Sequence, residues 1–133
     1  MKNNFEVTIL TPYGKYLSMT ADFLSVKASN GVLGILPNHA PLITEVEISK
    51  LVIKNGNSTL KYAISGGLLH IKKDTQIIIM TPSIERSDEI DKSRALAAKE
   101  RAEKRLLEKN EVDVLRAQAA LSRALNRLSL LEE

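Results

Sequence analysis

The sequence contains no cysteine, which excludes a disulfide framework, a thiolate nucleophile and any cysteine-ligated zinc site. Its two histidines, His39 and His70, are too few for a metal cluster. No apolar run approaches the ~20 residues that a membrane helix requires. Met1-Lys2-Asn3-Asn4 leads straight into alternating sequence rather than the apolar stretch of a signal peptide, so a soluble, unexported protein is expected. No G-x-x-x-x-G-K phosphate loop is present, and Ser65-Gly66-Gly67 lacks the G-x-S-x-G pattern and the strand-to-helix setting of a nucleophile elbow. With no nucleophile, base and metal ligands arranged together, the expectation is a protein that is not an enzyme.

Two further scarcities divide the chain. Only five aromatics occur, Phe5, Tyr13, Tyr16, Phe23 and Tyr62, all before residue 85. Residues 1–84 also hold no arginine, eight lysines and five acidic residues, whereas residues 85–133 hold seven arginines, four lysines and eleven acidic residues. The abrupt change near Pro82 predicts two units, a β domain over 1–84 and a helical hairpin over 85–133. The net charge of +3 sits on the first unit. A sequence pI of about 9.2 raises the possibility of nucleic-acid binding, but the lysines are scattered and no aromatic-basic platform accompanies them.

Before the break, Phe5-Glu6-Val7-Thr8-Ile9 and Leu60-Lys61-Tyr62-Ala63-Ile64 alternate with the period of strands, as do Ile71, Ile77 and Ile79 around a Lys72-Lys73-Asp74 turn. Asn30-Gly31 and Asn55-Gly56 supply the positive-φ residues of tight hairpins, and Tyr13-Gly14 and Gly66-Gly67 mark further breaks. Short strands spaced by turns predict a sandwich or barrel. His70 falls at an exposed strand position between Leu69 and Ile71, and His39, beside Pro37 and Pro41, reads as a structural loop histidine. A β unit this small is expected to lean on a partner.

After the break, Ser87 or Asp88 is the expected helix cap, with Glu89 and Asp91 in an acidic first turn and the helix running to Leu107. A short polar stretch, Glu108-Lys109-Asn110-Glu111, then predicts an antiparallel second helix. The whole is α+β: an N-terminal β-sandwich and a C-terminal two-helix hairpin. The helices repeat each other, since residues 94–106 match residues 116–128 at eight of thirteen positions. Alanines in the repeat let the helix backbones approach closely.

Within each repeat the arginines recur at i, i+7 and i+11, which keeps Arg94, Arg101 and Arg105 on one face of the first helix and Arg116, Arg123 and Arg127 on one face of the second. A turn near Asn110 sets Arg94 opposite Arg127 and Arg105 opposite Arg116, with Arg101 and Arg123 close by. Surface arginines are ordinarily solvated or paired one turn away. Arg94, Arg105 and Arg116 fit that reading through Asp91, Glu108 and Asp113, but Arg101, Arg123 and Arg127 have no acidic residue at i±3 or i±4. A polyphosphate, or an acidic partner surface, would relieve the repulsion of these cations.

Three segments carry a family likeness: Gly31-Val32-Leu33-Gly34-Ile35-Leu36-Pro37-Asn38-His39-Ala40-Pro41-Leu42, Ala63-Ile64-Ser65-Gly66-Gly67, and Ile90-Asp91-Lys92-Ser93-Arg94-Ala95. Together they resemble the epsilon subunits of bacterial F-type ATP synthases over essentially the whole chain. The resemblance implies a ten-stranded β-sandwich seated between the gamma subunit and the ring of c subunits, on the cytoplasmic face of the bacterial plasma membrane. It implies a non-catalytic rotor part that couples proton flow to ATP synthesis and restrains hydrolysis. The third segment is similar to the family's ATP-binding signature, and implies ATP as a regulatory ligand with contacts from Glu85, Ile90, Asp91, Arg94, Ala95, Arg101, Arg123 and Arg127. Glu85 and the backbone near Ile90, Asp91 and Ala95 would face the adenine, and the arginines the phosphates. Gly31, Val32 and His39 would meet the c ring or gamma, and in an extended state Arg101, Lys104, Arg105, Arg116 and Arg123 would meet acidic segments of the beta subunit, next to alpha. The sequence departs from many relatives at Val32, where they carry an acidic residue, and at Asn38, where they carry glycine. A β-plus-hairpin adaptor outside the synthase is the alternative.

Overall fold

The computed structural model describes residues 3–107 and 111–132. Eight strands come first: β1 (Phe5–Thr11), β2 (Gly14–Ala21), β3 (Phe23–Ala28), β4 (Gly31–Ile35), β5 (Leu42–Asn55), β6 (Ser58–Lys72), β7 (Gln76–Met80) and β8 (Ile84–Arg86). A 3-10 turn at Ser87–Glu89 leads to α1 (Lys92–Leu107) and α2 (Glu111–Leu131). The predicted α+β class, strands first and two helices last, is the one observed. The expected connection between the helices, centred on Asn110, lies outside the described residues.

Alternation decides which side of each strand is buried. In β1, Phe5, Val7 and Ile9 are buried while Glu6 is exposed. The Asn30-Gly31 and Asn55-Gly56 turns join β3 to β4 and β5 to β6, with φ of 123° at Gly31 and 60° at Gly56. The sheet order is β2-β1-β7-β6-β5-β3-β4, with β8 pairing β6 away from that path. β1 and β7 run parallel, and the other pairings among the described residues are antiparallel. β2 packs against β5 although three strands separate them in the sheet order, so the sheet folds over onto itself. Tyr62, Ile9, Leu24, Leu51, Ile53, Leu69 and Ile79 fill the shared interior.

The fold-over depends on Gly66 and Gly67. Sequence alone marked this pair as a break between strands, but β6 continues through it, with φ of 91° and 131° at the two glycines. Before the bend β6 pairs with β8 and the second half of β5, and after it with β7 and the first half of β5. A β-carbon at Gly67 would lie 1.9 Å from the Met80 carbonyl oxygen, so only glycine admits this approach of β7. The eight strands replace the ten that the family resemblance implied. β5 and β6 each serve both layers, and counting each once per layer gives ten. β8 carries the ladder to Arg86, two residues past the Ile84 boundary suggested by composition.

At the hairpin, the expected cap at Ser87 or Asp88 is corrected by the geometry. Asp91 caps α1, its Oδ1 accepting the Arg94 backbone N–H at 3.1 Å while its carbonyl accepts from the Ala95 N–H. Ser87 and Asp88 belong to the 3-10 turn, and Asp88 accepts from Arg86 Nε at 2.7 Å. That guanidinium holds the Asp88 carboxyl below its usual pKa. The two helices meet along Ala95 and Ala102 of α1 and Ala117 and Ala124 of α2, all buried and equivalent in the internal repeat. α2 rests on β5 and β6, where Ala63, Ile90 and Leu130 form a second small apolar cluster.

Candidate functional site

Where α1, α2, β8 and the 3-10 turn converge, a cleft of about 300 Å³ is lined by Glu85, Glu89, Asp91, Arg94, Ala95, Ala98, Arg101 and Arg127. Helical spacing brings Arg94 and Arg101 to this wall two turns apart, with the small Ala98 between them leaving space. Arg127 enters from α2 and Glu85 from the sandwich, so the cleft exists only while the hairpin lies against the β domain.

Three carboxylates and three guanidiniums line the cleft, but they are not equivalent. Asp91 is engaged as the α1 cap. Glu89 accepts the Tyr16 hydroxyl at 3.0 Å, and Tyr16 stacks edge-on against Tyr62 with ring centroids 6.1 Å apart. Burial, the hydrogen bond to Glu89 and that carboxylate's charge push the Tyr16 hydroxyl up to about 12. Glu85 accepts from Arg127 Nε in a partly buried ion pair. Among the described residues, Arg94 and Arg101 have no ion pair. They are the cleft's uncommitted cations.

Six of the eight residues expected to meet ATP line this cleft: Glu85, Asp91, Arg94, Ala95, Arg101 and Arg127. Ile90 lies in the small core beside Ala63 and Leu130, with its side chain buried rather than presented to a ligand. Arg123 does not line the cleft but a neighbouring crevice formed with Ser65, Ser83, Asn126 and Arg127. Three expectations about charge are corrected. Arg127 has a carboxylate partner, supplied by Glu85 across 42 residues rather than one helical turn away. Arg94 does not use Asp91 as an ion-pair partner, because that carboxylate binds a backbone N–H. Glu85 points to Arg127 rather than standing free for a base. The partners proposed for Arg105 and Arg116, Glu108 and Asp113, lie outside the side chains described. Sequence reading missed Glu89 and Ala98; the spacing of Ala98 midway between Arg94 and Arg101 was the available signal.

Other expected contact residues fall elsewhere. Gly31 and Val32 begin the edge strand β4, and Val32 is 77% exposed. His39 is half-buried in the loop after β4, its Nδ1 2.7 Å from the Ala40 carbonyl oxygen, and its own carbonyl accepts from the Thr75 hydroxyl. Asn38 takes φ 67°, so asparagine here adopts the positive-φ conformation for which glycine is favoured. Arg101, Lys104, Arg105 and Arg116 are exposed along the hairpin and Arg123 is half-buried. His70 is half-buried rather than exposed, in an outward row with Ile43 and Ile78. Beside that row lie Leu10, Met80 and Leu68, register neighbours across β1, β7 and β6, which leaves an apolar strip on this face of the sheet.

The β-sandwich domain of the ATP synthase delta/epsilon chain matches residues 4–87, and the long α-helix domain of the same chain matches residues 88–132. The chain belongs to the ATP synthase delta/epsilon family. It is 41% identical over 133 residues to an ATP synthase epsilon chain of Desulforamulus reducens, covering 99% of this chain and 100% of that one. It is 42% identical over 130 residues to the epsilon chain of Caldicellulosiruptor saccharolyticus, with 97% and 94% covered. The Bacillus licheniformis epsilon chain is 41% identical over 126 residues, with 94% and 95% covered. In fold the chain is similar to one in the Euglena gracilis mitochondrial ATP synthase OSCP/F1/c-ring structure, with a TM-score of 0.89 at 20% identity over 98% of this chain and 83% of that one. A chain of the Tetrahymena thermophila mitochondrial ATP synthase central stalk and c-ring gives 0.64 at 17% identity, with 98% of each chain covered. The family's two domains join at residues 87 and 88, so the delta/epsilon domain boundary falls inside the 3-10 turn that forms one edge of the cleft.

Proposed function

We propose that this chain is the epsilon subunit of a bacterial F-type ATP synthase, a non-catalytic part of the central stalk that couples proton flow to ATP synthesis and restrains ATP hydrolysis through its hairpin. The observation that carries the regulatory part is the convergence of Arg94, Arg101 and Arg127 on one cleft made jointly by both helices and the sandwich. A polyphosphate held there bridges α1 to α2 and favours the docked hairpin, because a ligand that binds one conformation draws the equilibrium toward it. ATP is the regulatory ligand of this reading. It is sensed and not consumed.

The partners are gamma, the c ring, alpha and beta. The apolar strip of Leu10, Leu68, Met80, Ile43 and Ile78 faces away from the hairpin and suits a partner subunit, while Gly31, Val32 and His39 lie on β4 and the following loop and suit the c ring or gamma. With Val32 exposed on β4, that contact is apolar where many relatives place a charge. When the hairpin leaves the sandwich, the exposed Arg101, Lys104, Arg105 and Arg116, together with Arg123, become available to acidic segments of beta. The subunit sits peripherally on the cytoplasmic face of the bacterial plasma membrane; no helix among the described residues is long and apolar enough to cross it.

Reconstitution tests the reading. The full chain is expected to co-purify with gamma, alpha and beta, and removal of residues 88–133 is expected to raise ATP hydrolysis by the assembled enzyme. Hydrolysis unchanged by that deletion across a range of ATP concentrations removes the regulatory role.

A further inference from the structure

We infer that Glu85 is a built-in competitor for the ligand of the arginine cleft, a carboxylate that occupies Arg127 until phosphate displaces it and so sets the ligand concentration at which the site fills. This rests on the ATP reading above and concerns its regulation. Glu85 and Arg127 form an ion pair between β8 and α2, and both side chains line the cleft. Of the three cleft guanidiniums, Arg127 is the one with a carboxylate already in place, whereas Arg94 and Arg101 have no ion pair among the described residues. A carboxylate and a phosphate oxygen offer a guanidinium the same kind of planar, charge-assisted acceptance. They therefore compete for Arg127.

Position makes the competition effective. The pair spans the sandwich and the hairpin, so in the absence of ligand Glu85 helps hold α2 in the docked place that a phosphate would otherwise secure. Its side chain is 33% exposed and that of Arg127 is 26% exposed. A pair so placed contributes modestly to docking. Its cost to an incoming polyphosphate is larger, because the Glu85 charge repels every anionic oxygen brought near Arg127 as well as occupying the donor. The balance of these effects assigns Glu85 the role of raising the ligand threshold more than that of closing the hairpin.

The test compares the full-length protein with its Glu85→Gln and Glu85→Ala variants by calorimetry, using ATP and, separately, inorganic tripolyphosphate. Both variants are expected to bind both ligands roughly fivefold more tightly than the unaltered chain. Tripolyphosphate has no base, so the two ligands separate competition for phosphate from recognition of adenine. ATP binding that weakens while tripolyphosphate binding stays the same assigns Glu85 to the base and overturns the inference, as does equal or weaker binding of tripolyphosphate. If the unaltered chain and both variants bind neither ligand at millimolar concentration, the ATP reading itself fails and the inference falls with it. Binding by the variants alone supports a carboxylate that shuts the site.

Discussion

The side-chain amide of Asn126 on α2 donates to the Ser49 carbonyl oxygen on β5 at 2.8 Å. The bond joins the hairpin to a strand 77 residues away and ends on a residue that is buried on the sheet. Replacing Asn126 with alanine removes the donor, and the net loss of such a bond is about 1 kcal/mol. The docked hairpin should therefore lose roughly fivefold in population relative to undocked forms. Amide hydrogen exchange across α2 is expected to accelerate while the core of β1 and β7 keeps its protection; unchanged exchange in α2 would mean that the bond does not contribute to docking.

Gly67 makes the sharpest stability prediction. Alanine at this site places a β-carbon 1.9 Å from the Met80 carbonyl oxygen, a backbone atom that cannot move without breaking the β6–β7 pairing, and it also imposes φ 131° on an L residue. Clash and strain together should cost more than about 3 kcal/mol in urea denaturation. Gly56→Ala is the control, since φ is 60° there with open space around the site, and about 1 kcal/mol is expected from strain alone. Similar losses for the two variants would contradict the close approach at Gly67.

These two sites also mark where sequence reading stops. Alternation in Phe5-Glu6-Val7-Thr8-Ile9, the Asn-Gly hairpins and the alanine repeat are local signals, and each leads to the observed element. Gly66-Gly67 is local too, but a turn and a bend within a strand both call for positive φ, and only the approach of β7 from elsewhere in the chain distinguishes them. The helix start was misplaced because Ser87, Asp88 and Asp91 are all competent caps, and the 3-10 turn uses the first two. Arg94, Arg101 and Arg127 were legible as a converging set from helical spacing and the hairpin turn. Glu85 and Tyr16 supply partners from the sandwich, and no i±3 or i±4 rule reaches them.

Tyr16 gives the fold a dependence on alkaline pH. Its hydroxyl is neutral in the folded state, donates to Glu89 and has its pKa raised from 10.0 to about 12. A raised folded-state pKa means that the folded protein holds this proton more tightly than the unfolded chain does. The contribution is thus fully present below pH 10.0 and is lost as the pH climbs through about 12. Tyrosinate absorbance should show one tyrosine titrating well above exposed Tyr13, and Tyr16→Phe should abolish that late component. Titration of Tyr16 together with Tyr13 would remove the link to Glu89.

The cleft predicts an order among the arginines as well as a site. Arg94 and Arg101 have no ion pair to surrender among the described residues, so their bonds to a phosphate are gained without exchange. Charge-assisted bonds of this kind contribute about 1.5–3 kcal/mol, and Arg94→Ala or Arg101→Ala should each weaken ATP binding by roughly 10- to 100-fold. Arg127 must first release Glu85, so the net contribution of its bond to phosphate is smaller and Arg127→Ala should weaken binding by about tenfold or less. Arg123 lines the neighbouring crevice, and its replacement should matter less still. Lys92 is exposed at the start of α1 and does not line the cleft, so Lys92→Ala should leave the affinity unchanged. Calorimetry on the full-length variants checks the whole order. A larger loss for Arg123→Ala than for Arg101→Ala would move the phosphates out of this cleft and into the crevice beside Ser65 and Ser83.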